Sequence, residues 1–317
     1  MRAWQQMIGR VGVCVFALLL AAAAGIAAEP AYPKVAGCPK FDTTSSEPVS
    51  MRYKFAAGQK VNFSLDTVMN MRIKTGGGAA APMKTTTEMK MWGDYDVKKV
   101  ERSGNADLTM AVTRMVIDAS GGPQKVSFDS DKDADAQNPA FKGVRAMLNV
   151  PIEATLIPTG KVQKLNADQL VAAVEKSGSA TTSKELRKSF EETMNSSFVP
   201  LPEGAVKAGD TYDAGEIVKA IAGVGELKSK VRYKVVAVSG DKKQVLLQPL
   251  MDLSVKAASA KVKFESTSME GWVLFDVDKG TIARSAIDMK LVFTVSVGSD
   301  SARADMDAQI KFETTEP

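Results

Sequence analysis

Apolar and polar residues alternate along most of this chain. From Val61 the odd positions Val61, Phe63, Leu65, Met69, Met71 and Ile73 are apolar, with Asn62, Ser64, Asp66, Asn70, Arg72 and Lys74 between them. Met83 to Met91, Ala106 to Val112, Val245 to Val255, Ile287 to Val297 and Ala304 to Phe312 repeat the pattern. A period of two sends successive side chains to opposite faces of a strand, so one row is buried and the other wetted. That is the mark of antiparallel sheet with one face on a core. The pattern predicts about ten to twelve strands. Several are longer than about eight residues, which favours curved sheets or barrel-like halves over a flat stack.

Helical periodicity is confined to the middle. Asn138-Pro139 places a capping residue before a proline at the first helical position and predicts a short helix through Phe141, Val144 and Leu148. Asn166 with Gln169 resembles a capping box, and Leu170, Val171 and Val174 form one stripe that stops at Gly178. Thr182 with Glu185 opens a second helix through Leu186, Phe190 and Met194. The chain thereby divides into a signal peptide (1–28), a flexible N-terminal tail (29–50), an N-terminal β half (51–165) with a short helix near 139–148, a helical pair (166–197) and a C-terminal β half (198–317).

The two halves share local features. "AAGQKVNFSL" (56–65) and "KAGDTYDAG" (207–215) each open on a glycine, and "TLIPTGKVQKL" and "LFDVDKGTIARS" each read as a hairpin, turning at Gly160 and Gly280. Internal duplication and chance likeness both stay open on this evidence. The fold class expected is mainly β (α+β): two antiparallel curved sheets or half-barrels, joined by a central pair of helices.

The N-terminus carries Arg2 and Arg10, then an uncharged stretch from Val11 to Ala28 and small residues at Gly25, Ala27 and Ala28. This reads as a signal peptide cut after Ala28 or Ala27, and predicts export to the periplasm or beyond. A retained N-terminal anchor is the alternative; after cleavage no transmembrane span is expected. Val35-Ala36-Gly37-Cys38 spells a lipobox, the alternative route to a membrane through lipidation of Cys38. Glu29, two prolines and Lys34 separate it from the apolar stretch, which argues against processing there. Cys14 leaves with the signal, so Cys38 has no partner for an internal disulfide.

Charge and chemistry narrow the function classes. Cleavage removes two of the 41 basic residues and none of the 37 acidic ones, leaving a net charge of +2 with the signs interspersed. Nucleic acid is therefore not an expected partner. With no histidine in the chain, Ser/His/Asp and Cys/His catalysis are excluded, and no phosphate or dinucleotide loop is present. No enzyme activity and no cofactor are expected. Two metal readings arise. Asp129, Asp131 and Asp133 take the first ligand positions of a calcium loop, but Ala134 and Ala140 stand where the glycine and closing glutamate belong. Met69, Met71, Met89 and Met91 would bring four thioethers together on a hairpin, a soft set suited to Cu(I).

"RYKFAAGQKVNFSL", "FDSD", "NPAF", "LIPTGKVQKL" and "LPEGAVKAGDTY" resemble a group of exported bacterial proteins, the domain-of-unknown-function family numbered 6263. The likeness covers roughly residues 51–297. Its motifs are turns and strand openers, so it implies an architecture and brings no activity or catalytic residues.

The same methionines with Phe63 and Leu65 support a broader reading. Methionine is flexible and polarizable, and a curved sheet lined with it can hold a lipid or other apolar ligand of variable shape. The alternative is a filled interior in a structural or interaction module of the envelope. Its partner, an envelope protein, would meet Trp92 and Trp272 beside their turns.

Overall fold

The computed structural model describes residues 32–316 apart from 76–81, 122–123, 133–140, 179–186, 188–197, 222–224, 258–260 and 298–299. Among these residues twelve strands join in one antiparallel sheet: β1 (Lys60–Thr75), β2 (Met83–Val100), β3 (Ala106–Gly121), β4 (Gln124–Asp129), β5 (Ile152–Leu156), β6 (Val162–Asn166), β7 (Thr211–Ile221), β8 (Gly225–Val238), β9 (Gln244–Ala257), β10 (Lys261–Asp276), β11 (Thr281–Val297) and β12 (Asp300–Thr315). The order is β6-β5-β3-β2-β1-β12-β11-β10-β9-β8-β7, with β4 on the distal part of β3. The halves expected as two sheets are one, because β12 returns to lie between β1 and β11 and pairs with both along most of its length.

The sheet is curled and open. Leu156 of β5 and Tyr233 of β8 share one buried cluster with Ile310 of β12. Eight strand steps separate β5 from β8, and a flat sheet would hold them roughly 40 Å apart. The sheet therefore bends so that one face, the inner face, closes on itself, while its end strands β6 and β7 do not pair with each other among the described residues. Two extended segments cross one end of the curl. Val49 and Val206 exchange backbone hydrogen bonds of 2.8 and 2.9 Å, and Tyr53 and Lys54 donate to Pro158 and Gly280 at 2.8 and 3.1 Å. The Tyr53 ring meets Phe198 and Phe275 edge-on, at 5.8 and 5.7 Å between centroids. This end is the solid core.

The duplication left open by the sequence is borne by backbone geometry. Gly58 donates to Val97 and Val97 to Gln59; Gly209 donates to Val235 and Val235 to Asp210. Both glycines have positive φ, +81° and +93°. Directly after each valine the strand bulges, between Val97 and Lys99 in β2 and between Val235 and Ala237 in β8. A second matched pair of bulges follows the Gly160 and Gly280 turns, at Gln163 in β6 and Ala283 in β11. Tyr95 and Tyr233 each lie two residues before their valine. Strands β1-β2-β3-β5-β6 thus correspond to β7-β8-β9-β10-β11, with the same pairing order. β4 and α1 (Lys142–Met147) fill the β3–β5 connection, where the second copy has only residues 258–260.

Helix α1 starts three residues later than Pro139 implies, and Asn138-Pro139 itself lies outside the described residues. Helix α2 (Asp168–Lys176) follows the expected stripe, burying Leu170, Val171 and Val174, and Gly178 ends it at φ +78°. Of the second predicted helix, only Arg187 falls within the described residues.

Residues 32–50, expected as a flexible tail, are packed. Val35, with Tyr32, Cys38 and Phe41 beside it, covers Trp272, Leu274 and Leu246 on the outer face. Ser45 donates to Val238 and Gly240 to Thr43, both at 2.9 Å. Burying that apolar outer patch outweighs the chain entropy of a free tail.

One defect interrupts the wall. β9 and β10 pair only over Gln244–Leu247 and Val273–Asp276; beyond these no register partners join them among the described residues. Val235 spends its N–H and C=O on the β7 side, at Asp210 and Gly209. Its partner Leu247, and Pro249 two residues on, consequently aim their backbones at β10. Pro249 has no N–H to give, so the ladder stops there.

Candidate functional site

Between β2 and β8 the inner face carries one charged position, Asp300 at the start of β12. Following register partners across the sheet from Met89 gives Thr67, Ile310, Ile287 and Gly271; the next row gives Thr87, Met69, Ala308, Met289 and Met269. Apart from Asp300, in register with Val297 where β12 begins, no Asp, Glu, Lys or Arg occupies that face among the described residues of these strands. It collects Met69 and Met71 on β1, Met83, Met89 and Met91 on β2, Met110 and Met115 on β3, and Met251, Met269, Met289 and Met306 on β9 to β12. The chain has 16 methionines, and eleven of them share this one surface. Phe63 and Leu65 lie on it, half-buried. Away from the solid end it is less covered. Met83 at 37 % and Val126 at 36 % are the large hydrophobics left exposed among the described residues, and both belong to this face.

Polar atoms on the face are hydroxyls. Thr67 is 5 % exposed and Ser229 0 %. Their hydroxyl oxygens, and that of Tyr212, are buried without a hydrogen-bond partner. Leaving such a group unpaired costs about 1–3 kcal/mol. Tyr212 stacks on Tyr233 at 5.7 Å. Burial pushes the phenols of Tyr53, Tyr212 and Tyr233 well above the usual tyrosine range, so all three stay neutral.

The four methionines singled out as a copper set do not form one. Met91 and Met89 lie opposite Leu65 and Thr67, whereas Met69 and Met71 lie opposite Thr87 and Thr85. At about 3.3 Å per residue, Met91 and Met71 are roughly 20 Å apart along the hairpin. Met71 instead faces Met306, and Met91 faces Met115. The longer hairpin sets this stagger.

The acidic loop is also engaged elsewhere. Arg114 bonds Asp129 at 3.3 Å and Asp131 at 2.9 Å, and Lys132 lies 3.7 Å from Asp129. The backbone N–H of Asp131 and the Arg114 guanidinium hold the Asp129 carboxyl below its usual range. The positive charge a calcium ion would bring is supplied by Arg114. Asp133 lies outside the described residues, and no group of three metal-ligating side chains occurs among those described.

Trp92 lies on the outer face, half-buried, with Arg114 stacked 5.0 Å above its ring. Trp272, expected beside it in a partner contact, is only 4 % exposed. The Val35–Cys38 turn covers it, closed by a Cys38 N–H bond of 3.3 Å to Val35 and by Gly37 at φ +77°. Burial raises the Cys38 thiol above its usual range. A separate polar cleft of about 580 Å³, lined by Lys40, Asp241, Lys243, Asp276, Asp278 and Lys279 among others, opens at the charged-turn end.

No curated protein sequence matches the chain. Among solved structures, lipovitellin is similar at 10% identity and TM-score 0.48, over 83% of this chain and 25% of that one. An outer membrane channel from Pseudomonas putida F1 is similar at 8% identity and TM-score 0.24, over 83% and 97% of the two chains. The Pseudomonas aeruginosa channel OccK7 gives 7%, 0.24, and 81% and 99%. The chain thus spans a quarter of the lipovitellin chain it matches. Among the described residues no helix is long and apolar enough to cross a membrane. A family model matches residues 103–282, from the β2–β3 turn to the start of β11 and so through parts of both repeats; on that match, the chain belongs to a family of unknown function (DUF6263).

Proposed function

We propose that this is an exported, non-catalytic protein of the bacterial envelope that holds a lipophilic ligand against the inner face of its sheet. One observation carries the reading: a continuous methionine-rich face without a Lys or Arg from β2 to β8 among the described residues, on a curled, unclosed sheet, with buried hydroxyls left unpartnered. A filled core would pair or exclude those hydroxyls. Methionine suits a face that must fit chains of differing shape. The stretch beyond Leu247, where β9 and β10 have no register partners among the described residues, is the entry route this reading implies.

The test is titration with an environment-sensitive naphthylamine probe, followed by displacement with long-chain lipids. Saturable binding is expected, with displacement at micromolar lipid. Met89→Lys puts a charge on the half-buried part of the face and should weaken probe binding at least tenfold while the melting temperature moves by only a few degrees. Wild-type protein that takes up no probe would refute the reading.

A further inference from the structure

The polar atoms of the inner face are specific as well as sparse. We propose, resting on the reading above, that the ligand is an electrically neutral lipid, engaged through an alcohol, ester or amide group by the hydroxyls of Thr67 and Ser229. Lipids whose carboxylate or phosphate would enter the curl are refused.

Two independent observations converge. The first is what the face lacks. A buried anion needs a cation or several N–H donors, and its burial is otherwise heavily penalised. From β2 to β8 no Lys or Arg lies on the inner face among the described residues. The backbone N–H groups are largely committed to sheet ladders. The cations nearest the inner side stand beyond this stretch, Arg145 stacked 5.4 Å over Phe128 of β4 and Lys219 in register with Leu227 on the end strand β7. Arg114 is on the outer face with Trp92, and Lys243 and Lys279 line the separate cleft at the turns.

The second is what the face holds. Thr67 on β1 lies between Leu65 and Met69, in register with Met89 and Ile310. Ser229 on β8 lies opposite Leu253 and Ile217. Each hydroxyl is buried and unpartnered, and the residues in register with it are apolar. A hydroxyl both donates and accepts, so it can meet an alcohol, a carbonyl or an amide equally well. Thr67 and Ser229 stand on the two arms of the curl, whose inner residues join in one core cluster. A lipid that takes the place of the side chains now covering them would meet both hydroxyls.

The probes are oleyl alcohol, methyl oleate and oleate at pH 8.5, which share a chain and differ at one end. The assay is displacement of the naphthylamine probe from the full mature protein. Oleyl alcohol and methyl oleate should bind at least tenfold more tightly than oleate. Thr67→Val and Ser229→Ala, alone and together, should reduce that preference about three- to tenfold, roughly one neutral hydrogen bond's worth. Melting curves establish that the variants are folded; should Thr67→Val fail to fold, Thr67→Ser, which keeps the hydroxyl, should keep the preference. Oleate binding as tightly as the alcohol would overturn the inference, and so would an unchanged preference in the folded double variant. If no lipid displaces the probe, the proposed function itself falls, which is a separable result.

Discussion

Gly280 and Gly58 make opposite cases of the same residue type. Both have positive φ, but a Cβ on Gly280 would sit 2.4 Å from the Lys54 nitrogen, whereas nothing lies within 4 Å of one on Gly58. Gly58→Ala should cost about 1 kcal/mol, the backbone penalty alone. Gly280→Ala must also push residues 53–54 off the hairpin and should cost about 3 kcal/mol or more. Urea unfolding of the two variants checks the difference, and equal costs would show that residues 53–54 do not clamp that turn. Asp129 gives a pH-dependent case. Its folded pKa is lowered, so it contributes stability above the unfolded carboxyl value of about 3.9. That contribution is lost as pH falls through the folded value. Asp129→Asn should flatten the acid limb of a stability–pH profile below about pH 4 while leaving the neutral region offset but parallel.

The strands show which physics a sequence exposes. Period-two alternation located β1, the distal part of β2, the start of β3, β9, β11 and β12, since each buries one row against the core. Bulges hide the rest. In β3 the inner row runs through Leu108 and Met110, then shifts to Met115 and Ile117 because Thr113 is an extra residue between Arg114 and Val112, the partners of Trp92 and Gly93. A parity reading breaks at such a point. Pro249 is visible as a residue, but its effect is not, because only the pairing directions show that its missing N–H faces β10. Pro249→Val should restore a donor there. Hydrogen exchange is then expected to show protection extending past Leu247 and Val273, and ligand exchange should slow severalfold. Unchanged protection would mean that something other than proline holds the seam apart. The N-terminal segment is the other surprise, because its tetrapeptide reads as a processing signal while its turn shields Trp272. Cleavage before Cys38 would strip Val35 from that patch. Intact mass should therefore show residues 32–37 retained, and Val35→Ala should red-shift tryptophan emission.

At the scale of the whole molecule, the repeat explains the architecture better than the two-sheet reading did. Two copies with the same pairing order are set side by side, and β12 inserts between them to make one sheet. The sequence held the repeat's turn glycines, Gly58 with Gly209 and Gly160 with Gly280, but not the insertion of β12, which no local pattern encodes. The methionine face was legible only in part. Alternation put Met69, Met71, Met89 and Met91 on inner faces, yet gathering methionines from both repeats onto one surface needed the curl. The unpartnered hydroxyls of Thr67 and Ser229 had no sequence signal at all, since threonine and serine are ordinary in strands. The central claim is that this surface carries a lipid in the cell. Native mass spectrometry of the protein, purified gently from the cells that make it without detergent exchange, tests it most directly. The account predicts a polypeptide that retains residues 32–37, accompanied by reproducible noncovalent mass in the lipid range that is lost on collisional activation. A bare polypeptide peak under the same gentle conditions would contradict it.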